Sequence, residues 1–234
     1  MNGDEDVTEI FKKAINEGRK WLLEPEAKYI CKQYNIPVPE GMVVKNVDEA
    51  VKYAREIGYP LVLKIVSKDI IHKTDVGGVI TNIVDEYSLR RAFNSIINNI
   101  RLNAPSAHID GFLIEKMYEP SIELIVGMNR DTQFGPVVMF GVGGVFVEVY
   151  QDTSFRLAPL DRQEAIEMIR EIKGFKLLTG YRGLKPVNLD IIADIIVKVG
   201  DLAVKYAVIK EIDLNPIFAY GDRAVAVDAR IILA

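Results

Sequence analysis

His72 stands in the stretch IIHKTDVGG, residues 70 to 78, and is one of two histidines in a chain of 234 residues. It follows the apolar run LVLKIV and precedes the glycine pair Gly77–Gly78. A neutral imidazole is a competent nucleophile near pH 7, because its unperturbed pKa is about 6.5. Glycines after it let the backbone bend or approach a phosphate closely. Two readings are open at this position: a hydrogen-bonded histidine in a turn, or an imidazole held where a phosphoryl group can reach it.

Near the C-terminus, EIDLNPIFAYGDRAVAVDARI carries Asp213 and Asn215 two residues apart, and Asp228 further on. On a strand, such spacing points Asp213 and Asn215 to one face. Gly221–Asp222 suits a two-residue hairpin turn, so Tyr220 faces Arg223. Counting back from the turn, Asn215 falls opposite Asp228, and Asp213 opposite Arg230. Directly opposed side chains have Cβ atoms roughly 5 Å apart. Oxygen donors gathered in this way suit Mg²⁺, which takes one or two protein ligands together with waters and nucleotide phosphates. A charged strand face with a cross-strand Asp213–Arg230 ion pair is the simpler alternative.

Lys64 ends LVLK inside an apolar strand. A lysine there needs an anion, such as a phosphate, or must snorkel to water. Glu115 and Lys116 end the strand of LIEK, and Glu123 lies on the next strand; carboxylates there suit a ribose hydroxyl or ordinary solvent-facing alternation. Gly143 and Gly144, in GVGGV, could bring backbone N–H groups to an anion or form a tight turn. The segment is neither a Walker motif nor a dinucleotide fingerprint, since no Gly-Lys-Ser/Thr occurs and β-like sequence follows. Arg156 in SFRLAPL is placed to hold phosphate or carboxylate bidentately. Arg182 in TGYRG suits an anion, a protein partner or a plain surface.

These groups need a scaffold. A helix is expected over about residues 7 to 35, with Glu24 as a cap and Pro25 at its first position. NVDEAVKYAREIG is a second helix, capped by Asn46 and Glu49 and closed by Gly58. YPLVLKIV and GGVITNIV read as strands, and EYSLRRAFNSIINNIRLNA as an amphipathic helix. From GFLIEKMY through SIELIVGMNRD, GPVVMFGVGG, VFVEVYQD and SFRLAPL, strands follow in quick succession, as in an antiparallel sheet. Helices at about 161 to 173 and 188 to 207 precede the closing hairpin. A boundary is expected near 105 to 110, and two helix–sheet lobes suggest a cleft between them.

Composition narrows the function classes. Hydrophobic residues are 49% and charged residues 26%, as in globular proteins. A net charge of −4 lacks the basic field of a nucleic-acid binder. No apolar run has the length of a membrane span, and the acidic start MNGDEDVTEIFKK has no apolar signal region. The single cysteine, Cys31, forms no internal disulfide, and a reducing cytoplasm is the expected home.

In this order, EPEAKYICKQYNIPVP, YPLVLKIVSKDIIHKTDVGGV, SIELIVGMNRDTQFGPVVMFGVGGVFVEVYQDTSFRLAPL, LLTGYRG and EIDLNPI…AVDAR resemble an ATP-grasp protein. The likeness is to the small (β) subunit of ADP-forming acetate–CoA ligases, a relative of the nucleotide-binding part of succinyl-CoA synthetase. It extends over nearly the whole chain after about residue 20. The resemblance implies an α/β (α+β) ATP-grasp fold: an N-terminal extension helix over 1–20, an N-terminal lobe over 21–108 and a C-terminal lobe over 109–234. It implies ATP/ADP as substrate nucleotide and Mg²⁺ held by Asn215 and Asp228. Lys64 would contact ATP phosphates, with Lys116 also on the nucleotide. Glu115 would lie near the adenine hinge and Glu123 near the ribose, and Gly143, Gly144 and Arg156 would bind phosphate. His72 would carry a phosphoryl group and exchange it with a histidine on a partner; His108 would not. Asp213 is the carboxylate best placed to orient His72. The sequence has no recognisable CoA-binding fold, which implies a CoA-binding α subunit as partner, in an α2β2 heterotetramer. An ATP-grasp carboxylate–amine ligase, which needs no phosphorylatable histidine, and a non-catalytic nucleotide-binding regulatory subunit are the competing readings.

Overall fold

Where one helix is expected over about 7 to 35, the chain forms two: α1 (Gly3–Asn16) and α2 (Glu24–Gln33). Gly18 separates them at φ +70, a left-handed conformation that glycine adopts without steric cost. Pro25 sits in the first turn of α2, and Glu26 accepts the N–H of Leu23 at 2.9 Å, so Glu24 is the first helical residue rather than the cap. The computed structural model describes residues 3–144, 152–181 and 185–234. It divides the chain into two units, residues 39–119 and residues 1–38 joined by 120–234.

The 39–119 unit runs β1 (Gly41–Val44), α3 (Val47–Ile57), β2 (Leu61–Val66), β3 (Val79–Ile83), α4 (Glu86–Asn103) and β4 (Gly111–Lys116). Its four strands form an antiparallel sheet in the order β1-β4-β2-β3. Asn46 accepts the N–H groups of Asp48 and Glu49, and Gly58 follows the last turn of α3, as the sequence predicts. Leu61, Leu63, Ile65, Phe112 and Ile114 from the sheet meet Val51, Leu89, Phe93 and Ile96 from the helices in one core.

The other unit continues with β5 (Ile122–Asp131), β6 (Gly135–Val142), β7 (Thr153–Leu157), α5 (Arg162–Glu171), the short α6 (Phe175–Leu178), α7 (Leu189–Lys205), β8 (Ile209–Ala219), β9 (Ala224–Ala226) and β10 (Arg230–Leu233). Its sheet is ordered β10-β8-β5-β6-β7, with β9 paired to β8. Alternation along β8 buries Ile212 and Leu214 and leaves Asp213 half-buried and Asn215 exposed. The buried side packs against Ile195, Ile196 and Val199 of α7, and Phe11 and Ile30 of the first two helices join that core.

Two expectations are revised. β4 pairs with β1 and β2, so it belongs to the first sheet and not to the strand run that follows it in sequence. The division accordingly falls after residue 119 instead of near 108, and residues 1–38 go with the C-terminal segment, whose core they share. Most of VFVEVYQD, and Arg182, lie outside the described residues.

Candidate functional site

The residues singled out above divide between the units. In residues 39–119, Lys64 on β2 pairs with Leu113 of β4, and Val62 pairs with Glu115. Lys64 and Glu115 are therefore diagonal neighbours on one face of the sheet. Their side chains form an ion pair, Nζ to Oε2 3.2 Å, with both residues buried. The lysine does not snorkel; it is desolvated beside a carboxylate, the condition under which a buried charge is tolerated. Gly41 faces Glu115 across β1, and a Cβ there would sit 2.7 Å from Glu115 Cγ. Only a glycine leaves that carboxylate its room.

Lys116 turns away from Glu115. Strand alternation sends it to the face opposite Glu115, and its Nζ donates to the carbonyls of Ile57 (3.3 Å), Gly58 (3.2 Å) and Tyr59 (3.1 Å). These are the carbonyls at and beyond the end of α3, which have no intrahelical partner and favour a cation. All three ammonium hydrogens are used in capping this helix, so a nucleotide contact would require the side chain to leave those carbonyls.

His72 is exposed, on the loop of residues 67–78 between β2 and β3. The loop is tied at both ends. On the entering side, Lys68 N–H donates to Asp110 at 2.9 Å, and Asp69 accepts the N–H of His108 at 2.7 Å. On the leaving side, Asn99 and Asn103 of α4 donate to the carbonyls of Gly77 (2.9 Å) and Val76 (3.3 Å). Gly78 N–H closes the loop onto Lys73 O at 2.7 Å. An exposed imidazole thus rides on an anchored segment, while the exposed imidazole of His108 lies on the connection between α4 and β4.

In the other unit, Glu123 on β5 lies beside the two glycines that follow β6. Gly143 N–H donates to Glu123 O at 2.7 Å, and Gly144, at φ +65, has its would-be Cβ 3.6 Å from Glu123 Oε2. Those three predicted residues meet at one end of the sheet. Arg156 does not join them. On the edge strand β7, its guanidinium grips Glu171 at the end of α5 with both terminal nitrogens. The fork expected to hold phosphate is taken by a carboxylate that the returning helix brings alongside.

The closing hairpin forms in the predicted register. Ala219 pairs with Ala224 and Ile217 with Ala226, and Asp213 pairs with Arg230. Between β9 and β10, residues 227–229 leave the ladder without a slip, so Asn215 and Asp228 hold facing positions. A bulge where β8 meets β5 sets Asn215 and Pro216 against the single residue Ile125. Asp228 accepts the N–H of Ala229 at 3.1 Å. Arg230 donates to Glu211 Oε1 at 2.7 Å and to Asp213 Oδ2 at 3.3 Å. Sequence reasoning missed Glu211, although its place two residues before Asp213 on the same strand was a signal. It also missed Lys28 and Glu24, a buried pair on α2 at 2.8 Å. Among the described residues, no group of three or more His, Cys, Asp or Glu side chains could hold a metal ion. Asn215 and Asp228 instead offer hard oxygen donors of the kind that leave the remaining positions to water and phosphate.

Burial pushes the Asp213 carboxyl above its ordinary range; Arg230 acts in the opposite sense, and Glu211 adds to the rise. A raised pKa means the folded state binds this proton more tightly than the unfolded chain. That contribution is present below the unfolded carboxyl pKa and is lost as pH rises through the folded one. Asp213→Asn is therefore expected to melt higher than the parent at pH 7, with the gain shrinking as pH falls through about 4. Thermal melts across that range check it; a variant less stable than the parent at pH 7 contradicts it. Lys116→Met is expected to cost about 1–3 kcal/mol in denaturant unfolding, through the lost helix cap, with ADP affinity unchanged. A weakened ADP affinity in the folded variant would restore the nucleotide role.

The family model described as an ATP-grasp domain matches residues 13–233. Acetate–CoA ligase [ADP-forming] I subunit beta of Pyrococcus furiosus is 57% identical over 225 residues, covering 96% of this chain and 97% of that one. Acetate–CoA ligase [ADP-forming] I of Archaeoglobus fulgidus is 45% identical over 229 residues, which are 98% of this chain but 33% of the relative. Among solved structures, the dinucleotide forming acetyl-coenzyme A synthetase 1 of Ca. Korarchaeum cryptofilum matches with a TM-score of 0.86 at 47% identity, covering 97% of this chain and 100% of that one. That protein was solved with coenzyme A and Mg-AMPPCP, its phosphohistidine segment pointing towards the nucleotide binding site. The chain belongs to the ATP-grasp family and, within it, to the beta subunits of the ADP-forming acetate–CoA ligases.

Proposed function

We propose that this chain is the nucleotide-binding subunit of an ADP-forming acyl-CoA synthetase, which interconverts acyl-CoA, ADP and phosphate with acid, CoA and ATP. The reading is carried by one observation: a chain of this family presents an exposed imidazole, His72, on a loop tied at both ends. Catalysis of phosphoryl transfer is chiefly a matter of positioning and charge stabilisation, and an anchored loop supplies the first.

In the ATP-consuming direction, a ring nitrogen of His72 bonds to the γ-phosphorus as the bond to the ADP oxygen breaks. The phosphoryl group then passes to a histidine of the partner subunit. Lys64 turns its charge to the phosphates, with Glu115 holding it in place in the free chain. Glu123, beside Gly143 and Gly144, serves the ribose and phosphate end. Asn215 and Asp228 would hold Mg²⁺, which would supply neutralisation of the phosphate charge.

The chain spans a third of the Archaeoglobus relative, so the rest of that longer polypeptide corresponds to a CoA-binding α subunit here. We assign the pair to an α2β2 heterotetramer. Among the described residues no helix is long and apolar enough to cross a membrane. Cys31 is free and buried, its thiol pushed up to about 12 by burial, which suits a cytoplasmic setting.

With the α subunit present, ATP labelled in its γ-phosphate should leave acid-labile, alkali-stable label on this chain. His72→Ala should lose that label and the ligase activity, and His108→Ala should keep both. Label that survives His72→Ala would contradict the assignment, and ligase activity that survives it would favour an amine-ligase type of chemistry.

A further inference from the structure

The returning arm of the hairpin, β9 to β10 with Asp228 between them, is gripped along its length by the N-terminal segment. Leu233 N–H donates to Lys20 O at 2.7 Å, Leu22 N–H to Ile231 O at 2.9 Å, and Ala226 N–H to Pro37 O at 2.9 Å. Trp21 forms an isolated antiparallel bridge with Ile232. These contacts flank residues 227–229, where the strand leaves the ladder. There the only backbone tie to β8 among those described is Val227 N–H to Pro216 O at 3.0 Å.

At this gap a side chain takes over. Lys28 of α2 is 5% exposed, and its Nζ donates to Val227 O at 2.9 Å. Its charge is matched by Glu24 one helical turn earlier, at 2.8 Å, in a residue 8% exposed. A buried lysine is an expensive way to satisfy one carbonyl, and an apolar pair of the same volume is often as stable. What the ammonium gives, and an apolar chain cannot, is a directional hold on the peptide just before Asp228.

We propose that Lys28 is a positioning residue for Asp228: through Val227 it fixes the short segment that presents the carboxylate to a nucleotide-bound divalent cation. This rests on the assignment of Asn215 and Asp228 to that cation. The contacts that carry this role are those to Val227 O and Glu24, so the effect on the cation runs through the segment that Lys28 holds. Groups that orient metal ligands at one remove typically change metal affinity by about 10–100-fold.

The test compares the parent with Lys28→Met combined with Glu24→Gln, which removes the lysine without leaving a buried carboxylate unpaired. ADP binding is followed by calorimetry while Mg²⁺ is varied. The Mg²⁺ needed for half-maximal ADP binding should rise about 10–100-fold, with metal-free ADP affinity unchanged. In the metal-free chain, the amide of Val227 should exchange with solvent faster in the variant. In an Asp228→Asn background the two substitutions should add nothing further, because they act through that carboxylate. An unchanged Mg²⁺ requirement in the folded variant overturns the proposal, as does an equal loss of metal-free ADP affinity. A parent chain whose ADP binding does not depend on Mg²⁺ overturns the cation assignment and the proposal with it. If the double variant does not fold, Lys28→Met alone, held below its melting temperature, carries the same comparison.

Discussion

The register of one hairpin is the constraint on which the rest depends. Tyr220 N–H meets Arg223 O at 2.8 Å across Gly221–Asp222, and every pairing out to Arg230 and Asp213 follows from that closure. A strand slipped by one residue turns all its side chains to the other face. Here that would send Asp213 into the core and set Ile212 or Leu214 in its place. The buried faces of Ile212, Leu214, Ile217 and Ile231 forbid it, so the core that stabilises the unit also fixes where its acids stand. The departure of residues 227–229 from the ladder is tolerated because the register resumes unchanged on the far side.

Charge is handled the same way in both units. Lys64 with Glu115 and Lys28 with Glu24 are buried pairs, each closing a charge that desolvation would otherwise penalise. Such pairs contribute little net stability compared with apolar packing. Their use lies in direction: one sets an ammonium on a sheet face, the other holds a peptide beside a carboxylate. Asp213 shows the opposing tendency. Its burial raises the cost of ionisation, and Arg230 offsets this only in part while also serving Glu211. Carboxyl groups perturbed by burial and shared charge partners cluster at functional positions.

What was legible in the sequence was what short-range geometry determines. A two-residue turn numbers its own partners, so the facing of Asn215 and Asp228 and of Asp213 and Arg230 could be counted. Asn46 and Gly58 mark the ends of α3 because their effects are local. Less was legible where tertiary partners decide. Lys116 and Arg156 carry the right chemistry for phosphate, but the end of α3 and Glu171 reach them first, and neither neighbour is near in sequence. β4 reads as a strand in any sheet; only its pairing with β1 and β2 assigns it. The break between α1 and α2 was hidden because one glycine at a positive φ interrupts residues that otherwise favour a helix.

The proposed cation site at Asn215 and Asp228 can be located directly. Crystals of this chain grown with ADP and Mn²⁺, an anomalous scatterer that substitutes for Mg²⁺, would locate the ion without reference to activity. The expected result is an anomalous peak coordinated by the side-chain oxygens of Asn215 and Asp228 and by nucleotide phosphate. A peak bound elsewhere, or ordered ADP phosphates with no ion at those two residues, would contradict it.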